Sequence, residues 1–315
     1  MSAATQQVSV GFAPSPSQLA MAYSVCRHIT RSAAKNFYYA FLVLPRLKRH
    51  ALCAVYAFMR RCDDIADDES VPQRDRYNKL VSLLEELHRV QAGQPSDDPV
   101  LLALTDTQRR YEVPSELLDQ LAMGTMMDVQ KSSAEGQPSA NTPEIIVQYQ
   151  TFEELTQYCY RVASVVGLVC IRVFGYRDKA AENLAERCGL AFQLTNIIRD
   201  VQEDAQVGRV YLPAQDLQAF GIAASELRNA TDASKFRPLL AMEAERARDY
   251  YQSGDQLIAL VNEDSQPALW VLVNIYRRLL EKIAQQQYDV FHGKVSLTVT
   301  EKVAFLGKGL LKRLT

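Results

Sequence analysis

Apolar residues recur at helical spacing along nearly the whole of this 315-residue chain, and prolines and glycines fall between the periodic blocks. That pattern excludes a sheet-based fold and predicts an all-α protein. Helices are predicted over about 17–30, 32–44, 46–68, 73–91, 98–111 and 115–130, then over about 152–174, 178–205, 233–262 and 267–290. Pro45, Pro72, Pro114, Pro143, Pro213 and Pro267 sit at or near the breaks. KSSAEGQPSANTP, residues 131–143, reads as a long surface loop, because the helices on both sides carry the same pattern. VGRVYLP, residues 207–213, reads as a short extended interruption.

A hydrophobic content of 48% is enough for a substantial core. With 35 basic and 37 acidic residues the net charge is −2, which argues against a nucleic-acid binder and makes any charge-based function local. Cys26, Cys53, Cys62, Cys159, Cys170 and Cys188 form no CxxC pair and no metal-ligand grouping with the four histidines. They read as reduced, buried thiols of a cytoplasmic protein. Residues 1–17 lack a basic n-region and a continuous apolar core and are expected to be a disordered tail. No window approaches the roughly twenty unbroken apolar residues of a membrane span. The last segment, KVAFLGKGLLKRLT, mixes lysines with leucines in the manner of an interfacial helix, for which peripheral membrane contact is one reading. The other is a final helix docked on the domain with its lysines in solvent.

Within RRCDDIADDES, residues 60–70, the charge is ordered. Tyr56, Arg60, Asp63 and Asp67 are spaced 4, 3 and 4 apart and share one helix face. At 1.5 Å rise per residue, Asp63 and Asp67 lie about 6 Å apart along the axis. Two unpaired carboxylates that close repel, and the helix dipole opposes charge at this end. A divalent cation relieves the conflict. FQLTNIIRDVQED repeats the arrangement, with Gln193, Asn196, Asp200 and Asp204 spaced 3, 4 and 4. Opposed across a cavity, the two stripes offer oxygen ligands alone, as Mg²⁺ prefers, with Mn²⁺ as an alternative. Neither stripe contains histidine, which disfavours zinc or a di-iron site. Either stripe alone also reads as a solvated helix end; both together point to chemistry.

The chemistry that suits such a pair is departure of a polyanionic leaving group. Bound cations grip diphosphate oxygens as a C–O bond breaks, and Arg60 and Arg199 match phosphate bidentately. The remaining product is a carbocation, so the rest of the cavity should be dry and apolar. Phe37, Phe41, Leu44, Met126, Val162, Val166 and Phe192 are candidate lining residues, each equally explained as core.

On YAFMRRCDDIADD (56–68), GTMMD (124–128), YCYRVASVVG (158–167) and FQLTNIIRDVQEDAQVGRVYLP (192–213), the chain resembles the squalene and phytoene synthase family of head-to-head prenyl diphosphate condensing enzymes. The resemblance spans about residues 20–297. It implies a single-domain isoprenoid-synthase helical bundle over 18–298 with a central cavity, followed by a C-terminal amphipathic helix over 299–315. It implies Mg²⁺-dependent catalysis on prenyl diphosphates, with Asp63, Asp67, Asp200 and Asp204 as metal ligands. Tyr56, Arg60, Gln193, Asn196 and Arg199 match substrate and diphosphate contacts, and Tyr158 and Tyr276 match tyrosines near the reacting centre. Lys35, Asn36, Phe37, Tyr211 and Lys294 fall in blocks that complete the substrate site.

In two places the chain departs from the family. AKNF (34–37) stands where SxSF is usual, so that Ala34 loses a hydroxyl, and Lys294 replaces an arginine, which keeps the charge but not the fork. The KNFYYAFLVLP and CDDIADDES wording resembles bacterial presqualene diphosphate synthases, favouring farnesyl diphosphate over geranylgeranyl diphosphate, the phytoene-type substrate. NADPH use stays open, since the family binds it without a dinucleotide fold. Two other classes fit the sequence less well. A non-catalytic prenyl-lipid-binding partner is disfavoured by the four retained aspartates, and a calcium-binding helical protein by the absence of an EF-hand loop. The sequence does not set the oligomeric state.

Overall fold

The computed structural model describes residues 13–34, 36–68, 70–131 and 145–314. The chain opens with α1 (Pro16–Ala33), capped by a Ser15–Gln18 capping box with Pro16 at its first position, and the short α2 (Phe37–Phe41). There follow α3 (Arg46–Ala66), α4 (Gln73–Gln91), α5 (Pro99–Tyr111) and α6 (Ser115–Lys131). Next come α7 (Phe152–Cys159), a π-helical turn (Tyr160–Ser164), α8 (Val165–Phe174) and α9 (Ala180–Gln206). The two short helices α10 (Ala214–Ala219) and α11 (Ala224–Arg228) lead into α12 (Ala233–Leu260), α13 (Gln266–Gln285) and α14 (Val299–Leu314). Among the described residues the only strands are β1 (Ile146–Val147) and β2 (Arg209–Val210), paired in parallel with Ile146 opposite Arg209.

Helix α9 runs through the middle of the bundle. It packs on α12, α13, α8 and the π turn, while α3 packs on α1, α5, α6 and α8. One continuous apolar cluster joins these layers, from Phe58 and Leu52 on α3 to Leu194 on α9 and Ile275 on α13. All six cysteines are buried and free, and burial pushes the thiols of Cys62, Cys170 and Cys188 up to about 12, which makes them inert.

Where α9 meets the π turn the backbones nearly touch. A Cβ on Gly189 would sit 2.7 Å from the Ala163 carbonyl oxygen and 2.8 Å from Ser164 Cα, so no side chain fits without moving backbone. Gly189→Ala is therefore expected to cost about 2 kcal/mol, read as a lower urea midpoint, by the usual magnitude for overpacking. Gly307→Ala is the control, because nothing lies within 4 Å of a Cβ there. Placed inside α14, it is expected to be neutral or to stabilise by up to about 1 kcal/mol.

Several boundaries differ from those predicted. The predicted helix over 32–44 is mostly the end of α1 and the five residues of α2, because α1 ends at Ala33 and the chain turns again before Pro45. The helix expected to reach 290 stops at Gln285, where Gln287 and Tyr288 take left-handed φ of 55° and 61°. Helices α10 and α11 escaped the periodicity reading because they are too short to show a period. The predicted loop at 131–143 and most of the predicted tail lie outside the described residues. The run Phe152–Phe174 is apolar and long enough to cross a membrane by length and composition. It carries Arg161 and Arg172, however, and Val162, Val166 and Ile171 line an internal cavity, so it serves the bundle as a core element.

Candidate active site

A cavity of about 160 Å³ lies between α3, the π turn, α8, α9 and α13. Its wall is apolar over most of its length, from Phe174, Leu257 and Leu269 through Cys188 and Gly189 to Phe192, and turns polar at Gln193, Asn196 and Tyr276. Along α9 the lining thus runs from apolar to polar toward the C-terminal end, where Arg199, Asp200 and Asp204 follow. Phe37, Val162, Val166 and Phe192 line the cavity as expected, whereas Phe41, Leu44 and Met126 are buried in the surrounding core and not among the lining residues.

Tyr276 joins the two acidic stripes. Its ring stacks on Phe192 at 4.4 Å and meets Phe37 at 5.8 Å, and Phe37 in turn meets Tyr56 of α3 at 6.4 Å. The side-chain amides of Asn196 and Asn36 lie beside its hydroxyl and favour the ionised form. Burial nonetheless raises the phenol above its ordinary value, so Tyr276 stays protonated at neutral pH. Asn196 Nδ2 also reaches Gln193 Oε1 at 3.5 Å.

At the polar end Arg199 Nε donates to Asp200 Oδ1 at 2.7 Å, and Lys294 Nζ lies 3.1 Å from the same oxygen while also pairing with Glu203. Arg199 and Asp200 are only 17% and 19% exposed. Burial disfavours the Asp200 carboxylate, but Arg199 and Lys294 outweigh it and hold the group below the usual carboxylate range. The α3 stripe is more open. Asp63 is exposed and Asp67, which ends the helix, is 67% exposed with Arg209 Nη1 4.0 Å away. Arg60 pairs at 2.5 Å with Asp64, one turn on.

The remaining predicted residues separate into two groups. Tyr158 and Tyr211 do not line the cavity; they stack at 5.3 Å, with Tyr149 joining at 5.3 Å from Tyr158. Lys35 lies outside the described residues. Glu203, Asp64 and Arg209 were missed as partners. Arg209 was within reach, since it belongs to the quoted RVYLP block; the other two look like ordinary helix-surface charges.

Among the described residues no three His, Cys, Asp or Glu side chains gather closely enough to hold a metal ion by themselves. The donors present fit a hard divalent cation bound in part by other ligands. They are carboxylate oxygens without a sulfur or imidazole, with Asp200 kept ionised, and each pair would supply part of an oxygen shell for such a cation.

An apolar cavity inside a helical bundle, with acids, amides and guanidinium groups gathered at one end, defines an all-α enzyme acting on diphosphate esters of long apolar chains. The squalene/phytoene synthase family model matches residues 30–301. A 15-cis-phytoene synthase of Synechococcus elongatus is 33% identical over 308 residues, covering 93% of this chain and 94% of that protein. A phytoene synthase of Mycobacterium tuberculosis is 35% identical over 301 residues, covering 95% and 93%. Among solved structures, a dehydrosqualene synthase superposes with a TM-score of 0.80 at 30% identity, over 93% of this chain and 96% of that one. A squalene synthase from Alicyclobacillus acidocaldarius gives 0.74 at 28%, over 87% and 97%. The chain belongs to the squalene/phytoene synthase family and is a prenyltransferase that condenses prenyl diphosphates head to head.

Proposed function

We propose that the protein joins two molecules of geranylgeranyl diphosphate into a C40 hydrocarbon of the phytoene type. What carries the choice is the run of relatives at 33–35% identity named phytoene synthase, matched over nearly their whole length. This reverses the preference for farnesyl diphosphate. That preference rested on the wording of KNFYYAFLVLP and CDDIADDES, two short segments that weigh less than likeness over nearly the whole chain.

In the reaction the allylic C1–O bond of one substrate breaks and diphosphate leaves with the electron pair. The C2=C3 bond of the second substrate attacks the resulting C1 cation, and a proton leaves as a cyclopropane closes. Loss of the second diphosphate and a second proton balances two C20 diphosphates against one C40 hydrocarbon. Asp63, Asp67, Asp200 and Asp204 are the residues that would hold Mg²⁺, which neutralises diphosphate charge when bound. Arg199 and Lys294 provide the fixed positive charge beside the leaving group, and Arg209 supports it from the Asp67 side. Gln193 and Asn196 orient the ester oxygens at the boundary between polar and apolar wall. Phe37, Phe192 and Tyr276 present aromatic faces and exclude water, which suits a cation held without a nucleophile nearby. Tyr56 completes this wall from α3.

Incubating the pure protein with Mg²⁺ and either geranylgeranyl or farnesyl diphosphate, with and without NADPH, tests the assignment by product mass. A C40 product from the C20 substrate, unchanged by NADPH, is expected. Turnover of farnesyl diphosphate alone would overturn the chain length and leave the reaction class standing.

A further inference from the structure

We propose that the outer face of α14, together with the start of α3, is a docking surface for an anionic phospholipid bilayer that sets the apolar end of the cavity against the membrane. Val299, Val303 and Leu310, spaced 4 and 7 residues apart and therefore on one helix face, are 66%, 49% and 42% exposed, and Leu311 beside them is 65% exposed. The opposite face is firmly seated. A Cβ on Gly309 would lie 2.4 Å from Val271 Cγ2, 3.4 Å from the Pro267 carbonyl oxygen and 3.5 Å from Val43 Cγ2, so the last turns of α14 rest on the first turns of α13 and on the α2–α3 link. Phe305 packs on Trp270 at 6.2 Å. The exposed stripe thus belongs to a helix whose other side is already satisfied.

A second element presents leucine at the same end of the molecule. Leu47, at the start of α3, is 59% exposed. Its neighbour Lys48 donates to the Phe174 carbonyl oxygen at 2.7 Å and to Ser265 Oγ at 2.9 Å, just before α13 begins. Phe174 and Leu269 form the apolar end of the cavity, opposite the aspartates. The leucines of both elements therefore flank the part of the bundle where the hydrocarbon chains must end.

Charge selects the occupant. Arg46, Lys308 and Lys312 are exposed beside these leucines, with Lys312 Nζ 5.1 Å from the Trp270 ring, while Asp264 at this end is already paired with Lys48. An exposed apolar face bordered by cations on one side, beyond Leu311, and lying near an indole matches the interface of an anionic bilayer. A hydrocarbon product that water cannot solvate gives such a contact a use. The inference rests on the prenyl-chain reading of the cavity and not on the number of carbons.

Sedimentation of the full chain with phosphatidylcholine vesicles, with and without about one third phosphatidylglycerol, is the test. The chain is expected to pellet with the anionic vesicles and to be released by high salt. The pair Val303→Ser, Leu310→Ser should lower partitioning about tenfold or more, and Lys308→Glu should lower it on anionic vesicles only. None of these residues lies in the catalytic site, so turnover of detergent-dispersed substrate should be unchanged, which keeps this failure separate from failure of the assigned reaction. Wild-type protein staying in the supernatant, or variants pelleting like wild type, would overturn the proposal. So would a dimer that the serine pair turns into a monomer while vesicle binding persists, which would assign the face to a second copy of the chain.

Discussion

Replacing Asp200 with asparagine is expected to lower turnover about a thousandfold or more while leaving the helical circular dichroism unchanged. The residue sits where Arg199 and Lys294 both reach it, only 19% exposed, and its carboxylate is held ionised against burial. Asparagine keeps the shape and one oxygen but removes the negative charge a hard cation needs. Loss of one electrostatic contact to the leaving group is worth about 4 kcal/mol, which is the stated factor. Glu203→Gln is the comparison. That carboxylate is 52% exposed and among the described residues pairs only with Lys294, so its loss should cost about tenfold or less. Equal defects in the two variants would show that charge at the mouth matters in bulk and that Asp200 has no special role.

The second large effect is expected far from the chemistry. Asp216 on α10 and Glu243 on α12 are buried together, 7% and 1% exposed, and both pair with Arg246, at 2.6 and 3.1 Å. Arg246 also lies over the Phe152 ring at 4.3 Å. This junction holds the start of α10, whose Ala214 amide donates to the Tyr149 carbonyl under the tyrosine stack. Arg246→Met strands two carboxylates in the interior and is expected to cost about 3–5 kcal/mol at pH 8. Burial, opposed by Arg246 and reinforced by Asp216, pushes Glu243 up to about 7 from an ordinary 4.5. A folded value above the unfolded one means that protonation favours the native state. The stability this group contributes is complete below about 4.5 and is lost as pH rises through about 7. Without Arg246 the carboxyl titrates higher still, so the defect should be smaller at pH 6 than at pH 8. Urea midpoints at the two pH values measure this, and a defect independent of pH would locate the damage in packing over Phe152 instead.

Much of the architecture was legible because a helical period survives in sequence whatever the helix packs against. The stripes at Tyr56–Arg60–Asp63–Asp67 and Gln193–Asn196–Asp200–Asp204 were visible for the same reason, since spacing alone puts them on a face. What spacing does not carry is which neighbour a long side chain chooses. Arg60 turns to Asp64 and Lys294 arrives at Asp200 from 94 positions downstream, the latter a contact made by tertiary packing and not by local order. The Asp216–Glu243–Arg246 cluster was invisible because each member resembles an ordinary surface charge until the helices close over it. The π turn left no trace either, for its one extra residue is absorbed between two helical segments of the same apolar character.

Arg199 and Lys294 act as resident counter-ions for Asp200. A carboxylate engaged in this way is a reluctant ligand until its guardians are offered another anion. An incoming diphosphate would offer one and so free oxygens for the cation that Asp200 is proposed to hold. Loading of the two would thereby be linked, each raising the affinity for the other.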